Sequence, residues 1–235
     1  MMNIKDLMKL ASLGYRWKMT LISGLIFLLV GLGFEILQVL MIPDVLLFGD
    51  VGDFVPLGAL FLMIMPMMFM QIFQMLTLSN FFNSSGKRRE ILTSTCRRIM
   101  AICMFLSYTV IWGIRLLGMY LYSGHDRSFR FGIMIAFVFA LIFSIYGGLA
   151  YKIYWISMIL FLAVYIPGLV AIQSPEVLFR IGVVQWLMQC PLWIEILIGY
   201  AILCLGVVLY GVFNALTYHL PLSPWVYKSY LKKGA

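Results

Sequence analysis

The spacing of charged residues constrains this chain more than any other feature. Glu35 is the only charged side chain between Met19 and Ile42, there is none between Phe54 and Gly86, and Arg115 is alone between Ile99 and Tyr122. Runs of about 20 apolar residues cross the hydrocarbon core of a bilayer as helices. The composition agrees, with 63% hydrophobic residues, 11% charged residues and a mean hydropathy of +1.01. A soluble domain carries roughly 25% charged residues. The sequence predicts an all-α integral membrane protein whose 235 residues form a single transmembrane domain of six spans, with no separate soluble unit.

Those spans fall at about 19–42, 55–79, 99–122, 131–150, 153–172 and 196–218. Pro66 lies inside the second, where a kink near Met65 is expected, because neighbouring groups in a membrane bundle can satisfy the carbonyl that proline frees. Ahead of the first span, residues 3–18 read as an interfacial amphipathic helix. Ile4, Leu7, Met8, Ala11 and Tyr15 share one face, and Lys5, Lys9, Ser12 and Arg16 another. An ordinary basic flank to the first span is the alternative. No small-residue cleavage site follows the first apolar run, so a cleavable signal peptide is not expected.

Before the last span, Arg180 and Glu195 bracket 14 uncharged residues, IGVVQWLMQCPLWI. Such a run is short for a crossing and suits a re-entrant segment, placed at 175–195 on the outer side. Trp186 and Trp193 fit the headgroup level.

The longest polar interruption is Asn80–Arg98, NFFNSSGKRREILTSTCRR, with Lys87, Arg88, Arg89, Arg97 and Arg98 against the single acid Glu90. Basic segments between spans are retained on the cytoplasmic face. With both termini inside, only Arg127, Arg130 and Arg180 of the 17 cations fall in outer segments, and Arg115 lies within a span. The predicted topology is therefore N-in and C-in. The net charge of +8 is spread over short inter-span segments, which excludes a nucleic-acid surface and favours anionic lipid headgroups.

The sequence offers no catalytic pattern. It lacks a GxxxxGK[ST] loop, an HExxH helix and a nucleophile elbow, so no catalytic residue, metal ligand or cofactor site is expected in this chain. Cys96, Cys103, Cys190 and Cys204 have no metal or redox spacing, and no structural disulfide is expected. The methionines Met63, Met65, Met67, Met68 and Met70 read as packing or a pliable apolar lining, with no cysteine or histidine near them to make a soft-metal site. Charged groups inside a membrane are costly and usually serve a purpose. Glu35, with Gln38 one turn away, and Arg115 are candidates for an internal ion pair or a polar vestibule; both could instead reach the outer interface. Gln71 and Gln74 are candidates for a translocation path, or bonds between helices. Gly31, Gly33, Gly147 and Gly148 allow close helix approach.

An interfacial N-terminal helix, six spans, a basic loop after the second and a re-entrant segment before the last resemble the permease subunit of type-2 ABC exporters. The stretch Leu78–Arg89 is similar to the polar segment before the short coupling helix of small Gram-positive permeases, which accompany export of, or immunity to, bacteriocins and other amphipathic peptides. The resemblance implies a bacterial cell-membrane protein that works as a dimer with a second permease copy or a paralogue. It also implies separate ATPase subunits that bind ATP and Mg. Their docking interface would comprise Phe81, Phe82, Ser84, Ser85, Gly86, Lys87, Arg88, Arg89, Glu90, Ile91 and Leu92, with Phe81, Phe82, Ile91 and Leu92 as apolar anchors and Lys87–Glu90 as rim charges. A small substrate-binding membrane subunit or a secondary transporter, uncoupled from residues 80–98, is the competing reading.

Overall fold

The computed structural model describes residues 17–41, 57–76, 86–121, 126–173, 180–221 and 223–224. Among them every regular element is helical: α1 (Trp17–Met41), α2 (Leu57–Met75), α3 (Arg88–Leu121, with a π-helical turn at Ile91–Thr95), α4 (Asp126–Leu149), α5 (Tyr154–Gln173), α6 (Gly182–Gln189) and α7 (Leu192–Thr217). Five of these, α1, α2, α3, α4 and α7, are long and apolar enough to cross a membrane. The expected interfacial helix, apart from Trp17 and Lys18 at the start of α1, lies outside the described residues, as do the acidic connector with Asp44, Asp50 and Asp53, and the basic tail.

The bundle is built around α2 and α4. α1 lies along α2, α7 lies along α4, α3 touches all four, and α5 packs chiefly on α4 at the edge. Small residues set the two closest pairings. A side chain at Gly31 of α1 would meet Leu62 of α2 at 2.8 Å, and one at Gly148 of α4 would meet Phe213 of α7 at 2.9 Å. Gly33, by contrast, faces open space. The core holds Met63, Met70, Met100 and Met104 packed among Phe131, Phe137, Phe143 and Tyr210, and Met65 is also buried. The methionine run of α2 is thus packing material, and Pro66 sits inside the helix without ending it.

Three expected boundaries move. α3 begins at Arg88 rather than near Ile99, because Ile91, Leu92, Cys96, Met100 and Met104 form one inward stripe that continues the helix through its polar start. Its 34 residues span about 51 Å at ~1.5 Å per residue, well over a hydrocarbon core of ~30 Å. α4 begins at Asp126, taking in residues expected in a loop, since Phe129 and Phe131 are already buried. α7 begins at Leu192, immediately after Pro191, and so includes Glu195.

Candidate functional site

The charged groups collect at opposite ends of the bundle. One end is formed by the start of α3, the turn between α4 and α5, and the end of α7. Gly86, Lys87, Arg89, Glu90, Arg97 and Arg98 are exposed there, while Ile91 and Leu92 are buried in the chain's own core. Ile91 and Leu92, expected as docking anchors, pack in this core and fasten the basic turn to the bundle. Phe81, Phe82, Ser84 and Ser85 lie outside the described residues.

Arg88 is also turned inward. Its Nη2 donates to the Tyr218 carbonyl at 2.9 Å, just past the last turn of α7. Lys152 Nζ donates to the Leu220 carbonyl at 3.0 Å, the Ser223 amide donates to the Tyr151 carbonyl at 2.9 Å, and the Arg89 guanidinium lies 5.7 Å from the Tyr218 ring centre. Cations suit this place, because the final carbonyls of a helix carry partial negative charge and lack intrahelical donors. Between the tip and the membrane-length part of α3 lies the π turn, whose wider winding is common where a helix changes register near a functional site.

Burial, and secondarily the charge of Arg88, lowers the Lys152 ammonium from its ordinary value of 10.5 to about 8. Between about pH 8 and 10.5 the folded chain then holds fewer protons here than the unfolded chain, so stability rises with pH across that window. Melting temperatures in one detergent from pH 7.5 to 10.5 should show this rise, and Lys152→Met should flatten it. An unchanged profile in that variant would mean Lys152 is not the group responsible.

The opposite end contains two internal ion pairs. Glu35 of α1 is fully buried, and Arg115 Nη2 of α3 donates to its Oε1 at 3.0 Å and to Gln38 Oε1 at 3.2 Å. Two glycines make the room. Side chains at Gly58 of α2 and Gly132 of α4 would run into Glu35 and Arg115 respectively. Among the described residues, Glu35 Oε2 and Arg115 Nε have no hydrogen-bond partner. The internal pair is thus one of the three arrangements expected for Glu35 and Arg115.

The second pair was not anticipated. Arg130 Nε of α4 donates to Glu195 Oε2 of α7 at 2.8 Å, Nη1 donates to the Met188 carbonyl at 2.9 Å, and Nη2 donates to the carbonyls of Leu187 and Cys190 at 2.8 and 2.7 Å. One guanidinium therefore caps the end of α6 and fixes the first turn of α7. Arg130 read as an outer-loop cation and Glu195 as a flank. The available signal was an acid four residues after Pro191, where a helix N-terminus favours negative charge.

Gln74 is buried beside Tyr210 and Asn214 of α7, away from both ion pairs; the Gln71 side chain lies outside the description. Lower on the α3–α7 contact, Thr109 and Tyr200 share a hydroxyl–hydroxyl bond of 2.7 Å, and Trp112 Nε1 donates to the Tyr200 hydroxyl at 2.9 Å. A groove of about 180 Å³ between α4 and α5 is lined by apolar groups from Leu141 to Leu149 and by Leu160 and Phe161. It contains none of the residues considered for a polar path. All four cysteines are free, and no cluster of metal-ligating side chains occurs among the described residues.

Comparison with protein-family models, curated proteins and solved structures returned no match for this chain.

Proposed function

We propose that this chain is the membrane-spanning permease subunit of an ATP-driven exporter. It would move an amphipathic peptide or lipid-like substrate outward with energy from a separate ATPase. In this reading α5 is a sixth crossing, α6 is the arm of an outer re-entrant segment, and the basic end of the bundle faces the cytoplasm. The working unit pairs it with a second permease and two ATPase chains, which hold the ATP and Mg.

The observation that carries the reading is how the basic turn is fastened. Its exposed charges Lys87, Arg89 and Glu90 stand on a base formed by buried Ile91 and Leu92 and by the Arg88 bond to the end of α7. A force on such a tip reaches α3 and α7 together, and α3 is one helix from the tip to the Arg115 ion pair. A merely retained, lipid-facing loop needs no such fastening. Of the described residues in the docking set that the resemblance implies, Lys87, Arg89 and Glu90 would meet the motor, with Arg97 and Arg98 at the headgroup level.

The test is the triple variant Lys87→Gln, Arg89→Gln, Glu90→Gln, which keeps Arg88, Ile91 and Leu92. Co-reconstituted with the ATPase that co-purifies with the parent chain, this variant should lose at least tenfold in ATP-driven export while melting as the parent does. Normal coupled export would overturn the proposal. Gradient-driven flux without nucleotide would assign the chain to secondary transporters instead.

A further inference from the structure

We propose that Arg88 and Lys152 form a binding site for the phosphate of an anionic lipid headgroup. The two side chains come from different elements, the start of α3 and the α4–α5 turn. They converge on carbonyls only two residues apart, Tyr218 at 2.9 Å and Leu220 at 3.0 Å. Two cations are thus held side by side. Among the described residues neither has a carboxylate partner, the two ion pairs there being Arg115–Glu35 and Arg130–Glu195. Glu90, the acid of the same turn, points to solvent.

The Arg88 Nε is buried with no acceptor among the described residues, so a strong donor is already desolvated beside this junction. Leaving such a donor unmade is costly, and an anion would satisfy it. A guanidinium fork beside an ammonium is the donor set that matches phosphate oxygens. The mutual repulsion is visible in Lys152, whose protonation Arg88 opposes and a bound anion would favour.

The position selects a lipid over a free anion. Tyr154 and the exposed Trp155 lie two and three residues beyond Lys152, a pairing suited to the headgroup level. The apolar groove between α4 and α5 starts at Leu149 and Ser157, the residues on either side of the same turn, and could take an acyl chain. The site does not depend on the exporter reading; it requires only that this end of the bundle lie at a membrane surface.

The experiment is a melting series on the purified full chain in nanodiscs of phosphatidylcholine alone, then with phosphatidylglycerol added, and finally phosphatidylcholine with inorganic phosphate in the buffer. Phosphatidylglycerol should raise the melting temperature by about 5 °C, as a saturating ligand does. Lys152→Gln and Arg88→Gln should each remove most of that rise. Arg98→Gln, which deletes an exposed cation at the same end, should keep it. If Arg88→Gln fails to fold, Lys152→Gln alone decides. An equal loss in Arg98→Gln would mean diffuse charge and would overturn the site. So would the absence of a rise, and an equal rise with inorganic phosphate would overturn the lipid as its occupant.

Discussion

Arg130→Met should lower the melting temperature by on the order of 10 °C, from a loss of about 3–5 kcal/mol. The size follows from what is stranded. Glu195 is 1% exposed, and its Oε1 already lacks a partner among the described residues, so losing Arg130 leaves a buried carboxylate with no counter-charge. The carbonyls of Leu187, Met188 and Cys190 each lose the arginine donor at the same time, Leu187 keeping only the Cys190 amide, at the open end of an eight-residue helix that has no side-chain cap at its other end. Methionine keeps the length and apolar character of the arginine stem, so the loss reports the charge and the hydrogen bonds. Arg130→Lys should recover only part of it, because an ammonium cannot span the carboxylate and three carbonyls with a planar fork. Melting in one detergent, read by intrinsic tryptophan fluorescence, measures both. An Arg130→Met variant that melts within a degree of the parent would mean α6 is held by its apolar face alone.

The helices were legible because apolar runs of bilayer length leave the chain few alternatives. Met19–Ile42 became Trp17–Met41 and Ile153–Ile172 became Tyr154–Gln173 almost unaltered. The expected boundaries differ from the observed ones where charged residues stand inside a helix. At Arg88 and at Asp126 the helix continues because buried neighbours, Ile91 with Leu92 and Phe129 with Phe131, fix the backbone whatever the charges do. The Arg130 cap was equally hidden. A cation near a span end reads as solvated, and nothing local in the sequence brings residue 130 to carbonyls at 187–190. A pair between Glu35 and Arg115 was among the alternatives the sequence left open, because each stands alone in an apolar run, where a charge needs a partner or a route to the interface. The inward turn of Arg88 was not, since Lys87, Arg88 and Arg89 are equivalent by composition and only the helical phase set by Ile91 and Leu92 separates them.

Breaking the Glu35–Arg115 pair should cost as much as breaking the Arg130 cap, yet removing both partners should cost far less. Arg115→Met leaves Glu35, fully buried, with its Oε1 stripped of its donor, and Glu35→Gln leaves the Arg115 guanidinium unneutralised in a site only 6% exposed. Each single variant should lose about 3–5 kcal/mol, whereas the double variant Glu35→Gln, Arg115→Met removes both buried charges and should lie nearer the parent than either single. Gly58 and Gly132 bound the space on either side, and glutamine and methionine are close in size to the side chains they replace. The double variant also separates two roles for the pair. A pair that only holds α1 to α3 leaves export intact once both charges are gone, while a pair that opens and closes with transport leaves a stable protein that no longer exports. Strictly additive losses in the double variant would show that the two groups do not interact in the folded protein, and the internal pair would then fall with any gating role given to it.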